Sequence, residues 1–341
     1  MINLREFLSV GHYVFLPSKK NAKVILNINN KNSCINSFEL YNPFSIKAKV
    51  FKFIFSYIVI YLNTPFKFFF GQRYIHSSKF ILEIEVKLNR KIHSSLYYAT
   101  AKDKVVLQLQ DDKGILGYLK FSLNELGGNH LRNEVKAINI LMKAGVLDRD
   151  YLILDGCYKG FNYCILKNIP GKITSIPDLV IKDILHKLEG KLDYELFKHP
   201  RILKLRDQLI KQNHIELIKT LDNYVGSNKN KYKVVYEHGD FAEWNIIKAD
   251  SKYILFDFEY FEEEGLEYLD LFKFYFQKAN LLKAYNDIKI IEYLKNKINL
   301  PARFNELFIV FLIKEISIKS EECQDYFKEY SMLNYIILSN K

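Results

Sequence analysis

The sequence predicts an α+β fold in which a strand-rich region is followed by a helical region, and three observations carry that reading. Between Ser95 and Asn168, "SLYYAT", "KVVLQLQ" and "ILGYLKF" are rich in β-branched and aromatic residues and are separated by the turn-like "AKDK" and "DDKG". A helical pattern follows, and then "YCILK" reads as one more strand. Beyond Pro170-Gly171 the apolar residues recur at helical spacing, as in "PDLVIKDILHKLEGKL" and "RILKLRDQLIKQNHIELIKTLDNYV". A single β element interrupts these helices, "YEHGDFAEWNIIKADSKYILFDFEY" from Tyr236 to Tyr260, which sets acids and an amide among strand-formers.

Taken in order, residues 1–94 are an accessory region with short strand-like runs ("YVFLP", "KVILNI") and one apolar segment, "FIFSYIVIYL", from Phe53 to Leu62. As a helix that segment would be about 15 Å long, half of a ~30 Å hydrocarbon core, so it is too short to span a membrane. It is expected to pack into the protein. The alternative is a peripheral position on a membrane surface, with neighbouring Lys52 and Lys67 at the headgroups. Residues 95–168 are the strand-rich region. Their helix, "HLRNEVKAINILMKAG", has an apolar face of Leu131, Val135, Ile138 and Met142 that also carries Glu134, whereas Arg132, Lys136 and Lys143 point away. Residues 169–341 are the helical region.

The bulk composition bounds the function classes. With 341 residues, 49% hydrophobic and 26% charged, the chain can bury a sizeable core. Its formal net charge of +11 comes from lysines spread along the chain, which favours anionic partners such as nucleotides or acidic headgroups. There is no concentrated basic stripe with interleaved aromatics, so nucleic acid is not an expected partner. The 4 cysteines show neither a C-x-x-C pair nor a zinc-like spacing with histidine, and they read as buried thiols of a reducing compartment. The start, "MINLREFLSVGHYVF", has no basic segment leading into an apolar run, so a cytoplasmic location is expected, with the inner face of the membrane as the alternative.

Polar groups inside an apolar run cost free energy unless something binds them. "NIIK" and "YILFD" flank "ADSK", a plausible hairpin turn, and a hairpin centred near Ser251 sets Asn245 opposite Asp257. An amide oxygen and a carboxylate roughly 5 Å apart can share magnesium and leave coordination sites for phosphate oxygens. Asp240, in the loop before the first strand, is placed to accept a proton from an incoming hydroxyl. A base, two metal ligands and little covalent chemistry make a phosphoryl-transfer layout.

Asp240-x-x-x-x-Asn245, followed by Asp257 at the end of a strand, resembles the catalytic and metal-binding loops of the protein-kinase-like fold. The forms "HGD" and "DFE", with the later "GLEYLDLFKF", resemble the aminoglycoside phosphotransferase and choline kinase superfamily more than protein kinases. The resemblance implies a bilobal fold with a small β-rich N-lobe, a helical C-lobe and, here, an extra N-terminal region. It implies ATP and Mg2+ as cofactors, Asp240 as the catalytic base, Asn245 and Asp257 as metal ligands, and Asp270 as a brace of the catalytic loop. It also asks for a phosphate-binding lysine on a strand and a glutamate on the next helix, and Lys120 and the inward Glu134 meet that demand. The hinge-like "YCILKNIPG" would offer the Lys167 carbonyl and the Ile169 amide to an adenine edge.

Two departures stand out: the turn "TAKDK" has no glycine, and residues 1–94 lie outside the small-lobe core. Around the motif, His238 is expected to be a structural hydrogen-bonder, Phe241 and Trp244 to pack the loop, and Glu259 to touch metal or substrate or form a salt bridge. Glu262–Glu264 reads as a solvated loop, or as a lure for a cationic substrate. The expected reaction is phosphate transfer to a hydroxyl of a non-protein acceptor, with a sugar or glycan leading. A choline- or aminoglycoside-type acceptor, or a nucleotide-binding module without catalysis, is the alternative.

Overall fold

The computed structural model describes residues 4–40, 46–99, 104–226, 229–300 and 303–339. Most of the glycine-free turn "TAKDK" lies outside them. The chain divides into two compact units, Met1–Pro170 and Gly171–Lys341.

The first unit runs β1 (Gly11–Leu16), β2 (Val24–Asn27), α1 (Lys31–Glu39), α2 (Ile46–Tyr61), α3 (Asn63–Phe70), β3 (Gln72–Tyr74) and α4 (Lys79–Leu88). It continues with β4 (His93–Ala99), β5 (Lys104–Asp111), β6 (Gly114–Ser122), α5 (Glu125–Lys143), β7 (Leu152–Tyr158) and β8 (Phe161–Lys167). All these strands pair antiparallel in one sheet, ordered β3-β1-β2-β4-β5-β6-β8-β7. The run β4-β5-β6-β8, with α5 following β6 in sequence, has the order of strands and helix expected from the sequence, and β7 extends it. Residues 1–94 are not set apart from this sheet: β2 hydrogen-bonds to β4 and carries β1 and β3 beyond it. Strand β7 has no counterpart among the sequence-level expectations. It lies at the sheet edge and none of its side chains is fully buried, so the alternation that marks a half-buried strand is missing.

Period-2 alternation builds two cores on the extra strands. Tyr13 and Ile25 join Phe7, Phe80, Phe121 and Tyr163 on one face, where Phe7 and Phe121 meet edge-on with ring centroids 5.0 Å apart. Val14, Val24 and Leu26 point the other way, to Cys34, Phe38 and Val59. That second core uses little of α2. Among the described side chains of α2 only Val59 is fully buried, and Phe53 is 71% exposed. The expectation that the apolar segment packs into the protein is therefore overturned for most of its length. The thiols also divide: Cys34 and Cys164 are buried, whereas Cys157 and Cys323 are exposed, contrary to the uniform burial expected.

The second unit runs α6 (Asp178–Lys187), β9 (Glu189–Glu195), α7 (Pro200–Lys211), α8 (Ile215–Val225), β10 (Lys231–Glu237), β11 (Ile246–Ala249) and β12 (Lys252–Leu255). Then come β13 (Glu262–Leu266), α9 (Leu269–Gln277), α10 (Asp287–Lys297), α11 (Phe304–Glu321) and α12 (Phe327–Ser339). Its sheets are β13-β10-β9 and the hairpin β11-β12. The helix expected through "PDLVIKDILHKLEGKL" stops at Lys187, and the remainder becomes β9. Gly190 there lies against β10 so closely that a Cβ would sit 2.4 Å from the Val234 carbonyl oxygen. The next helical pattern splits at Asn213, whose φ is +58°. The acidic run lies in a strand and not a loop: Glu262–Glu264 opens edge strand β13, where Glu263 and Glu264 are exposed as expected and Glu262 is ion-paired to Lys204. Helix α11 is buried along Leu307–Ser317 and forms the unit's core, with Phe308 and Phe311 stacked against Phe272.

Candidate active site

Each unit holds some of the predicted constellation. In the first, Lys120 sits on β6 opposite Val106 and Cys164. Helix α5 starts at Asn124, whose side chain accepts from the Gly127 amide at 2.9 Å and so satisfies one orphan donor of the first turn. The helix then carries Glu134 inward with Leu131, Ile138 and Leu141; Val135 and Met142 are half-buried, so the inward face is rotated slightly from the expected one. Lys120 Nζ donates to Glu134 Oε1 at 2.6 Å, and the Glu134 side chain is wholly buried. A buried carboxylate paired with an ammonium helps to hold that ammonium in place, because separating the two costs the buried charge a partner. At the end of β8, Lys167 donates its amide to the Tyr151 carbonyl at 2.8 Å and pairs its side chain with Asp150, while the Asn168 amide reaches the Leu116 carbonyl at 3.3 Å. Ile169 lies two residues past the strand end.

In the second unit, β10 ends at Glu237 and the chain turns out through His238-Gly239-Asp240. Gly239 has φ +81°, and a Cβ there would lie 2.1 Å from the Tyr260 carbonyl oxygen. Only glycine fits this turn. Gly239→Ala is expected to cost at least about 2 kcal/mol, read from urea unfolding of the two proteins; an unchanged midpoint would show that the turn is relaxed. Asp270, at the start of α9, accepts from the His238 amide at 2.7 Å and the Gly239 amide at 3.0 Å, so it braces the loop as expected. Burial, reinforced by the nearby Glu237 charge, pushes its carboxyl up to about 6. The Asp240 amide donates to His238 Nδ1 at 3.3 Å, which leaves Nε2–H to donate to the Phe256 carbonyl at 3.0 Å. His238 is a structural hydrogen-bonder. Phe241 is buried 5.5 Å from the Phe274 ring, Trp244 is half-buried and Glu259 is buried.

Asn245 Nδ2 donates to both the Asp240 carbonyl, at 2.8 Å, and Asp240 Oδ2, at 2.9 Å. Both amide hydrogens are thereby committed to Asp240, and the amide oxygen is the Asn245 atom left to face a cation. The hairpin beyond differs from expectation by one residue. Ile246 pairs with Leu255, and the Phe256 amide donates to the Asn245 carbonyl at 3.2 Å, so Asn245 stands opposite Phe256 and not Asp257. The cause is the turn, which is two residues long, Asp250-Ser251, with Asp250 at φ +50°. Asp257 leaves the ladder in the left-handed region, at φ +68°, a conformation that persists in a non-glycine residue only where its surroundings over-determine it.

Among the described residues no group of three or more His, Cys, Asp or Glu side chains could hold a metal ion. The pair expected from the sequence, the Asn245 amide oxygen and the Asp257 carboxylate, is a smaller set of oxygen donors. Such a set suits a hard cation that fills the rest of its shell with phosphate oxygens and water, which is how magnesium is bound.

Around Asp240 lies a buried ionic network that the sequence reading missed. Lys273 Nζ on α9 stands 3.4 Å from Asp240 Oδ1 and donates to Glu315 Oε2 on α11 at 2.7 Å. Burial opposes the Lys273 charge, but Glu315 and Asp240 together raise its pKa above the ordinary lysine value. Next to Glu315, Lys314 donates to Glu237 Oε1 at 2.8 Å, and Arg201 Nε on α7 donates to Glu237 Oε2 at 3.2 Å. Burial alone would raise the Glu237 carboxyl; Lys314 and Arg201 overcome it and hold the group at about 2. One signal was there to be read, namely charges inside the apolar runs "DLFKF" and "FIVFLIKEISI".

No family model matches this sequence, and no curated protein matches it. Solved structures do. A protein assigned as a fructosamine-3-kinase from Haemophilus somnus is 14% identical, over 75% of this chain and 96% of that one, with a TM-score of 0.47. An aminoglycoside phosphotransferase crystallised with ADP and hygromycin B is 8% identical, over 75% and 94%, with a TM-score of 0.46. A choline kinase from Cryptosporidium parvum is 11% identical, over 73% and 89%, with a TM-score of 0.41.

Proposed function

We propose that this protein is an ATP- and magnesium-dependent phosphotransferase acting on a hydroxyl of a non-protein acceptor. The observation that carries the reading is the loop Asp240–Asn245, with its turn held by Asp270 and the Asn245 amide locked onto the Asp240 carboxylate. Asp240 orients the acceptor hydroxyl and takes its proton as transfer proceeds. The Asn245 amide oxygen and Asp257 hold magnesium, which when bound neutralises charge on the phosphates. Lys120, fixed by Glu134, meets phosphate oxygens, and the Lys167 carbonyl and Ile169 amide take the adenine edge. Positioning and charge complementarity supply most of the rate gain, since the protein forms no covalent intermediate.

For the acceptor, a sugar or glycan hydroxyl leads, because "HGDFAEWNI" with "DLFKF" resembles members linked to surface-polysaccharide assembly. A choline- or aminoglycoside-type acceptor would want a carboxylate-lined pocket. The acidic run that suggested one is a strand with Glu262 already paired to Lys204, which weakens that alternative. The reaction is placed in the cytoplasm, with an acceptor carried on a membrane lipid at the inner face as the variant that the basic charge favours. A screen of sugars and amino alcohols for magnesium-dependent ADP release tests the class. In a nucleotide titration Asp257→Ala is expected to weaken magnesium-dependent nucleotide binding at least about tenfold. Equal nucleotide affinity in the variant and the parent would remove Asp257 from the metal site.

A further inference from the structure

Helices α2 and α3 present their apolar residues outward. At about 100° per residue, Phe53, Ile54, Tyr57, Ile58 and Tyr61 of α2 share one face, opposite the buried Val59, and all five are exposed. The chain then bends by 102° into α3, whose last turn exposes Phe68, Phe69 and Phe70 at 83%, 74% and 66%. Contiguous apolar surface on this scale marks an interaction site and not ordinary surface scatter.

The charge around it names the occupant. From Tyr41 to Leu82 the sequence holds no aspartate or glutamate but six cations, namely Lys47, Lys49, Lys52, Lys67, Arg73 and Lys79. Lys47 and Lys49 are exposed on the first turn of α2, and Arg73 is exposed on β3 just past α3. Aromatic and aliphatic side chains on one face, carried on a segment with six cations and no acid of its own, are complementary to the headgroup region of an anionic bilayer, and the acid that reaches this segment, Glu39 of α1, faces Lys52. A protein partner would not by itself require the exclusion of every acid over this length. Among the described residues no single helix is long and apolar enough to cross a membrane; α2 and α3 reach that length and composition only as a pair, and the pair is bent by 102°. We propose that α2 and α3 form an interfacial anchor that sits in the headgroup layer of an anionic membrane, aromatics down and Lys47, Lys49 and Arg73 at the phosphates. The anchor stands apart from the phosphotransfer reading and would hold if that reading failed.

Flotation of the full chain with vesicles of phosphatidylcholine, alone or mixed with phosphatidylglycerol, tests it without nucleotide or acceptor. The expected result is co-flotation with the mixed vesicles and little with the neutral ones. Phe68→Glu/Phe69→Glu should reduce co-flotation at least about tenfold. Both residues are solvent-facing, so the circular dichroism spectrum and melting temperature should not change. Lys47→Glu/Lys49→Glu, which leaves the apolar face intact, should lose the preference for the anionic vesicles. Protein that stays at the bottom of the gradient with mixed vesicles overturns the proposal. So does a dimer by light scattering that Phe68→Glu/Phe69→Glu dissociates, because a second copy would then be what covers the face.

Discussion

Asp240→Asn is expected to keep the fold and magnesium-dependent nucleotide binding while lowering phosphate transfer by about 10²–10⁴-fold, the range a positioned general base supplies. The substitution changes one atom of the group. An asparagine there can still accept from Asn245 through its single oxygen, but it cannot take a proton from a hydroxyl, and it sets an amide where Lys273 now meets a carboxylate at 3.4 Å. Melting temperature and nucleotide affinity control for the loop, and ADP release in the presence of the acceptor reads the chemistry. Wild-type turnover by Asp240→Asn would strip Asp240 of its role even if the protein proved to be a kinase.

Lys314→Met should be the more damaging change to stability. It leaves Glu237 buried without its nearer cation, and breaking a buried pair from one side costs about 3–5 kcal/mol. Adding Glu237→Gln should recover part of that loss by removing the charge that Lys314 balanced, the remainder being the buried Arg201 guanidinium left without its carboxylate; urea unfolding of the single and double variants measures the difference. Full additivity of the two substitutions would mean that the side chains do not interact in solution. The same pair predicts a pH dependence. Glu237 is held at about 2, below the ordinary 4.5, so its stabilising contribution is complete above pH 4.5 and drains away as pH falls toward 2. Asp270, raised from 3.8 to about 6, acts in the opposite sense: its contribution is present below pH 3.8 and is lost as pH rises through 6. Glu237→Gln should therefore flatten the acid limb of the stability curve and, by removing a charge that helps to raise Asp270, shrink the Asp270 limb as well.

These charges also mark where sequence reading stopped. Lys120 and Glu134 were legible because a strand and the next helix carry them, and helical spacing alone turns Glu134 inward. Lys273, Glu315, Lys314 and Arg201 were not, although the first three interrupt apolar runs. An inward charge announces that it needs a partner, but the partner lies 42 residues away for Lys273 and Glu315 and 77 away for Lys314 and Glu237. The hairpin shows the same limit at short range. Its strands were placed correctly, yet a turn centred half a residue earlier moved Asn245 from Asp257 to Phe256.

From the sequence alone came the strand and helix periodicities of both regions, the spacing from Asp240 to Asn245 to Asp257, and the demand that Glu134 find a cation. All of these are set by backbone geometry within one element or between neighbours. Tertiary structure decided the rest: which buried cation meets which acid around Asp240, the joining of the first strands to the main sheet, and the outward face of α2. Those outcomes depend on how separate elements pack, and a residue's periodicity tells which side it faces without telling what waits there.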